Sequence, residues 1–276
     1  MQPPARSAGG FAFYTESMAR QPVEILGTRG EIGVAHSSVA KARAIPAGLA
    51  RGLKPPPSSG TTFSAASRGL ICGFALEEAA RKRGALRIAG LDEVGRGPLF
   101  GPVVAAAVIL PTGCRLEGLT DSKKLSEKQR NRLDVEIRSN ALAWAIAAVD
   151  AETIDRINIR RASLEAMRRA VEQLTLSPDF LLIDGRDRID WNCPQQAVIR
   201  GDAISLSIAA ASVLAKVHRD RLLVELDREF PGYGLARHKG YPCPAHKAAL
   251  ELLGPTPLHR RSFRPVAQAA LQFPQS

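Results

Sequence analysis

Cysteine is scarce and scattered in this 276-residue chain: Cys72, Cys114, Cys193 and Cys243 are the only four, and no two form a C-x-x-C pair. That spacing excludes a disulfide framework or a zinc knuckle and suits a reducing cytoplasm. Long apolar runs are missing too. No stretch reaches about 18 residues without a charge or a helix breaker, so no membrane span is predicted and a soluble protein is expected. There is no internal repeat. Acids are the minority, 27 Asp and Glu against 38 Lys and Arg, for a formal charge of +11. A field of that sign favours a polyanionic partner, nucleic acid first, and says nothing about fold. Familiar cofactor and nucleophile signatures are absent as well. The G-R-G-P-L-F-G run at 95–101 is neither a dinucleotide fingerprint nor a P-loop, and Pro98 and Pro102 oppose a helix there. No serine sits in a G-x-S-x-G elbow, so Ser205, Ser207 and Ser212 read as helix-packing residues. His238, Cys243 and His246 lack a fourth zinc ligand.

Residues 1–70 hold 8 Lys and Arg against 3 Glu, a net charge of +5, which leaves +6 for the remainder. The segment includes KPPPSSGTTFSAASRG and keeps no sustained period of 2 or 3.6, so a disordered basic extension is expected. Its Arg and Ser content leaves two meanings open: an extension or too early a start codon on one side, an organelle transit segment on the other. An ordered domain is expected over 71–267 and a tail over 268–276.

Periodicity predicts the elements of that domain. FALEEAARKRG (74–84) reads as a helix; LRIAGLDE and PVVAAAVIL read as strands on either side of the glycine-rich turn. Ser126 with Gln129 forms a capping box for a helix whose Leu133 and Ile137 share a face. AWAIAAVD (143–150) is a strand, and 160–174 is a helix with Leu164, Met167, Val171 and Leu174 on one side. FLLID (180–184) and QAVIRGD (196–202) are strands. A long helix runs from Ile204 to about Glu229, and PAHKAALELLG (244–254) gives a last short one. Strands that begin as a meander and are later separated by helices imply an α/β layer fold with a mixed sheet.

Asp92 and Glu93 then end the first strand, Asp184 ends FLLID, and Asp202 follows the AVIRG strand. Strand tips are where open α/β sheets place their sites. Like charges sharing a site raise one another's pKa unless a cation joins them. Hard oxygen donors in this number suit Mg2+ or Mn2+, and ion pairs about 3.5–4 Å apart serve in-line phosphodiester displacement. Asp202 has a plainer alternative as a helix cap near Ser205, and Asp184 as a turn residue. Adjacent Asp92 and Glu93 at the end of an apolar strand are harder to explain without something that neutralises them. The remaining acids, such as Glu77, Glu78, Asp134 and Glu136, are expected on solvated helix faces.

The segments GLDEVGRGPLFGPVVAAAVIL, LTDSKKLSEKQR, IDRINIRRASLEAMRRAV, LLIDG, RGDAISLSIAAASVLAKVHRD and FPGYGLARHKGYP, in that order, resemble bacterial ribonuclease HII, the type 2 ribonuclease H family, over about residues 71–267. The resemblance implies a ribonuclease H-like fold: a five-stranded mixed sheet flanked by helices, with a helical C-terminal part. It implies a metal-dependent endoribonuclease that hydrolyses the RNA strand of RNA/DNA hybrids. Such an enzyme also cuts 5′ of single ribonucleotides embedded in duplex DNA, a DNA-repair activity, by a two-ion mechanism that leaves 3′-OH and 5′-phosphate ends.

Residue by residue, the resemblance makes Asp92, Glu93, Asp184 and Asp202 the catalytic, metal-binding acids for two Mg2+ or Mn2+ ions. Gly95, Arg96 and Gly97 would reach the ribose 2′-OH, where a side chain would block backbone approach. Tyr241 would pack on the following deoxyribose. Lys123, Lys124, Lys216, His238 and Lys239 would contact phosphates, although a solvated basic face explains them equally well. Phe100 departs from the family in a position that is often small. A non-catalytic hybrid-binding protein is the rival from another class, but it need not keep four acids. A purely structural or partner-binding module also leaves those acids unexplained. Ribonuclease HIII would carry a folded N-terminal domain that residues 1–70 do not suggest. Finally, QAALQF (Gln268 to Phe273) fits a Q-x-x-L-x-F pattern resembling peptides that dock on the bacterial sliding clamp, with a fraying tail as the alternative. A cytoplasmic monomer is expected.

Overall fold

A strand that is apolar at every position needs cover on both faces. Val103–Ile109, the sequence VVAAAVI, is such a strand and is buried throughout. Val103, Ala105, Ala107 and Ile109 enter one core, and Val104, Ala106 and Val108 the other. The computed structural model describes residues 72–273. The expected extension over 1–70 and the end of the expected tail lie outside the described residues.

The strands are β1 (Ile88–Val94), β2 (Val103–Ile109), β3 (Ala143–Val149), β4 (Phe180–Asp184) and β5 (Gln195–Val198), in the spatial order β3-β2-β1-β4-β5. β1, β2 and β3 form an antiparallel meander, with Asp92 opposite Ala106. β4 and β5 join in parallel with β1, with Leu91 opposite Ile183. The mixed five-stranded sheet matches the expected ribonuclease H-like layer fold. Its consequence is positional: β1, β4 and β5 all end at the same edge.

Eight helices are described: α1 (Ala75–Arg81), α2 (Glu127–Asn140), α3 (Ala151–Ile157), α4 (Ile159–Glu172), α5 (Leu206–Glu229), α6 (Leu235–His238), α7 (Pro244–Leu253) and α8 (Arg264–Ala270). α4 covers one face of the sheet through Ala162, Ala166, Met167, Ala170 and Val171. α2 and the first half of α5 cover the other through Leu133, Ile137 and Ala209 to Val217. Alanine-lined surfaces let helices lie close to a sheet, and at one point the approach is absolute. A Cβ on Gly90 of β1 would sit 2.1 Å from the Ser207 carbonyl carbon, so the start of α5 rests directly on the strand. The second half of α5 leaves the sheet; Leu222, Leu223 and Leu226 pack with Leu99, Phe100, Tyr233, Leu235, Leu250 and Val266 in the helical C-terminal part.

Local signals explain the element starts. The Ser126–Gln129 capping box forms as expected, with Ser126 N donating to Gln129 Oε1 at 2.8 Å and Gln129 N to Ser126 Oγ at 3.3 Å. Asp150 caps α3, an element the periodicity did not predict, through Thr153 N at 2.7 Å. β5 is shorter than expected because Arg200 adopts a left-handed conformation, φ 58°, and turns the chain into a 3-10 turn at Gly201–Ala203. The expected last helix is followed by α8. That helix straddles the expected 267/268 boundary, since Val266 and Ala269 are both buried. Two acids expected on solvated faces are buried instead: Glu77, and Asp134 between Arg138 at 2.9 Å and Arg221 at 3.2 Å. Phe100 is enclosed, edge-on to His259 at 4.8 Å and to Phe230 at 5.7 Å. None of the described helices is long and apolar enough to cross a membrane.

Burial, reinforced by His246 and Arg261, lowers the His259 pKa from the ordinary 6.5 to about 3. A depressed folded value means that the unfolded chain takes up the proton first. The stability tied to the neutral ring is therefore complete above pH 6.5 and drains away as the pH falls toward 3. His259→Gln removes that dependence. Its destabilisation in urea titrations should shrink by about 2 kcal/mol between pH 7.5 and pH 5. Equal destabilisation at both pH values would mean that the ring is not held neutral by the fold.

Candidate active site

Parallel pairing of β1, β4 and β5 brings three chain ends to one edge, and each delivers carboxylates. Asp92 and Glu93 lie near the end of β1, Asp184 ends β4, and Asp202 sits in the 3-10 turn that follows β5. Asp202 is not the cap of α5. Ser205 has that task, its hydroxyl accepting from Ile208 N at 3.2 Å.

The four acids feel one another. Asp92, only 5 % exposed, is held well above the usual carboxylate range by burial first, then by Asp184, Glu93 and Asp202, against the pull of the Ser212 hydroxyl. Burial also pushes Asp184 up to about 6; Asp202 and Glu93 add to the rise, and the Gly201 N–H and Lys123 oppose it. Their oxygens are taken up within the chain: Asp92 Oδ1 by Glu93 N at 2.7 Å, Asp184 Oδ1 by Gly201 N at 2.7 Å, Glu93 Oε1 by Arg96 Nη1 at 3.0 Å, and Asp202 Oδ2 by Lys123 Nζ at 3.5 Å. Among the described residues no three such side chains are already gathered as a ligand set. Yet the donor chemistry fits divalent cations: four hard carboxylates, two of them destabilised by burial and their neighbours, with an exposed lysine and an exposed arginine as their ion-pair partners among the described residues.

The turn beside the acids is built from its carbonyls inward. Arg260, fully buried, donates to Gly95 O at 2.6 Å, Arg96 O at 3.0 Å, Pro98 O at 2.8 Å and Gly101 O at 2.9 Å. Arg219 of α5, equally buried, donates to Pro102 O at 3.1 Å, Phe100 O at 3.0 Å and Lys239 O at 3.0 Å. Burial lowers both guanidinium pKa values, to about 10 for Arg219 and about 9 for Arg260, and both remain cations at neutral pH. Gly95 has φ 94°, and a Cβ there would fall 2.3 Å from Arg219 Nε, so two constraints demand glycine. Gly97 is exposed, and its nearest neighbour is the Tyr241 ring, 3.7 Å from where a Cβ would stand.

Sequence periodicity missed both arginines, although Arg219 carried a signal. It occupies the apolar stripe of Ala215, Leu222, Leu223 and Leu226 on α5, where an ordinary surface arginine would not be placed. Glu77 was missed for a similar reason. Its Oε1 accepts from Ser205 Oγ at 2.6 Å and Ser207 N at 2.9 Å, tying α1 to the start of α5 just beyond Asp202. Ser122 and Ser212 were missed as well: their hydroxyls are 2.9 Å apart, joining the D-S-K-K loop to the same helix.

The basic residues separate into two groups. Lys123 and Lys124 are both exposed in that loop, and Lys123 reaches Asp202. Lys216, expected at a phosphate, is paired with Asp220 at 2.7 Å on its own helix. His238, also expected there, uses both ring nitrogens on backbone: Tyr233 O at 2.7 Å and Gly240 N at 3.2 Å. The Lys239 ammonium turns back to Ala236 O. These last three serve the fold of their own segments.

A protein family described as ribonuclease HII matches residues 89–266. Proteins named ribonuclease HII from Myxococcus xanthus and Geotalea uraniireducens are 56% and 53% identical to 68% and 70% of this chain. The matched region spans 64% of the Myxococcus protein's own length and 89% of the Geotalea protein's. Two solved structures share the architecture. Ribonuclease H2 from Pyrococcus horikoshii OT3 superposes with a TM-score of 0.60 at 25% identity, over 69% of this chain and 100% of that one. The RNase HII of a PCNA complex from Archaeoglobus fulgidus gives 0.56 at 28%, over 63% and 94%.

The raised Asp184 pKa has a sign. Stability is present below the ordinary value of 3.8 and is lost as the pH rises through about 6, so the penalty is complete at pH 7.5. Without divalent ions, Asp184→Asn should gain on the order of 2 kcal/mol at that pH, or roughly 4–8 °C in melting temperature. The gain should fade at pH 4, and Mg2+ or Mn2+ should raise the wild-type midpoint more than the variant's. Scanning calorimetry that finds the variant no more stable than wild type at pH 7.5 would contradict carboxylate crowding.

Proposed function

The chain belongs to the ribonuclease HII family, and from that premise we propose that it is a metal-dependent endoribonuclease. Its substrates are the RNA strand of RNA/DNA hybrids and single ribonucleotides embedded in duplex DNA, cut on the 5′ side to leave 3′-OH and 5′-phosphate ends. The observation that carries it is the junction of two unlike devices at one sheet edge: four carboxylates, two of them destabilised by burial and by their neighbours, and beside them a glycine turn whose carbonyls are occupied from within.

Two divalent ions held by Asp92, Glu93, Asp184 and Asp202 would supply Lewis acidity and an activated water for in-line attack on phosphorus. The chain's own residues do the rest. Arg260 fixes Gly95 and Arg96 from behind, so that the backbone of Gly95 to Gly97 can approach a ribose 2′-OH, the group that separates RNA from DNA. Tyr241, about two-fifths exposed and next to Gly97, packs on the deoxyribose that follows the ribonucleotide. Lys123 and Lys124 meet phosphate on the acidic side, and the net positive body supplies sequence-independent affinity. Domain 71–267, extended through α8, carries the activity in a cytoplasm that keeps the four thiols reduced.

A duplex holding one ribonucleotide, incubated with Mg2+ or Mn2+, should be cut 5′ of that ribonucleotide, and an all-RNA/DNA hybrid should be cut at many positions. Asp92→Asn should lower the rate by more than about 100-fold, beyond the loss typical of groups one layer behind a metal. Cleavage of an all-DNA duplex at the same rate, or a fully active Asp92→Asn protein, would sink the assignment.

The C-terminus supports a partner as well. Gln268 is exposed on α8 and Leu271 is 83 % exposed beyond it, whereas Phe273 rests on Gly254, just after the exposed Leu252 and Leu253. We propose that this Q-x-x-L-x-F end docks on a ring-shaped sliding clamp, a partner class that the Archaeoglobus fulgidus structure pairs with its RNase HII. Purified bacterial clamp should be retained by the wild-type protein and lost with a Leu271→Ala, Phe273→Ala double variant; equal retention would remove the idea.

A further inference from the structure

Tyr241 stands in the loop between α6 and α7, and its main chain is held on every side. Tyr241 N donates to His238 O at 3.0 Å, and Tyr241 O accepts from Cys243 N at 2.8 Å. Gly240 O accepts from Leu99 N at 2.8 Å, which ties this loop to the glycine turn. Behind it lies a feature with no role in the reaction so far: three histidines, two of them completely buried. His246 stacks on His238 at 4.6 Å, and its Nε2 lies 3.2 Å from His259 Nε2. His246 Nδ1 is 3.0 Å from Tyr241 O, and His259 Nδ1 is 3.0 Å from Thr256 N.

The direction of this chain follows from its two ends. An amide N–H can only donate, so Thr256 N fixes His259 Nδ1 as an acceptor. The neutral His259 ring then carries its proton on Nε2 and gives it to His246 Nε2. That leaves His246 with its proton on Nδ1, aimed at Tyr241 O, and a carbonyl can only accept. Each step agrees with the next, and only with both rings neutral: an extra proton on His246 would set N–H against N–H across 3.2 Å, and one on His259 would set its Nδ1–H against Thr256 N–H across 3.0 Å. Burial lowers the pKa of both rings, which keeps them in that state. Apolar side chains would fill the same space without burying four ring nitrogens, so the polar chain is there to define a position.

We propose that His246, backed by His259, is a positioning residue for substrate specificity: it fixes the Tyr241 peptide and through it the ring that reads the sugar after the ribonucleotide. This rests on Tyr241 being the deoxyribose contact. Selection of a ribonucleotide-to-deoxyribonucleotide junction over continuous RNA thus depends on a hydrogen bond delivered from the protein interior.

Asparagine and glutamine separate position from packing at residue 246. The Asn amide can stand where Nδ1 stands, and the Gln amide where Nε2 stands. The readout is the ratio of kcat/KM on a duplex with one embedded ribonucleotide to kcat/KM on an all-RNA/DNA hybrid, with melting temperatures measured alongside. Tyr241→Ala should lower that ratio by about 10- to 100-fold, as loss of a placed contact does. His246→Gln should lower it comparably, and His246→Asn should stay within about threefold of wild type. If His246 acts through Tyr241, the double variant His246→Gln, Tyr241→Ala should be no worse than Tyr241→Ala alone. A wild-type ratio in His246→Gln, equal losses in Asn and Gln variants, or multiplicative losses in the double variant would each overturn the proposal. A wild-type ratio in Tyr241→Ala would instead overturn the deoxyribose contact on which it stands.

Discussion

Two cations without acidic partners among the described residues organise this molecule. A guanidinium taken out of water needs its N–H groups satisfied, and the usual answer is a carboxylate. Arg219 and Arg260 are satisfied by main-chain carbonyls alone, seven in total, six of them between Gly95 and Pro102. A loop whose carbonyls must converge on two buried charges has few conformations open to it. The turn is therefore rigid, and it is rigid without any regular secondary structure. One side of the turn binds the protein's own cations, leaving the other for the sugar contact that the proposed function assigns to it.

The carboxylates show the opposite economy. Among the described residues no cation is paired with Asp92, and the exposed Lys123 is a weak partner for Asp202. A fold that buries like charges at the ends of neighbouring parallel strands is under strain at neutral pH, and a divalent cation relieves it. Rigidity from the arginines and electrostatic tension from the acids lie a few residues apart along β1. One supplies geometry and, in the proposed function, the other would supply affinity for metal.

Much of this was legible in the sequence. Strand alternation, the Ser126–Gln129 box and the apolar strand Val103–Ile109 follow from local rules, and the structure has them where they were expected. The four acids were legible because each stands out against an apolar strand or a strand-ending turn. What escaped depends on contacts far apart in sequence. Glu77 meets Ser205 across 128 residues, and Arg260 reaches Gly95 across 165. On its own helix Glu77 looks like any surface glutamate, because only the tertiary fold reveals that a helix start sits above it. Lys216 and His238 were read from residue type, which suits phosphate, and the sequence did not reveal that Asp220 and two backbone groups are also their partners. α8 was overlooked because seven residues with two prolines nearby carry little periodicity, and Val266 and Ala269 gain their helical preference from burial.

The tie between α1 and α5 bears on where the chain can be cut. Gly73 N donates to Ile204 O and Gly73 O accepts from Leu206 N, each within 3.1 Å, and Glu77 then holds the hydroxyl that caps α5. The turn carrying Asp202 is thus braced by residues that precede the family match at 89 by a dozen or more. A fragment trimmed to the recognisable family region would keep all four acids and lose the brace on one of them. The hydrogen bonds that brace this turn begin at Gly73, well ahead of the 89–266 stretch that the family model matches.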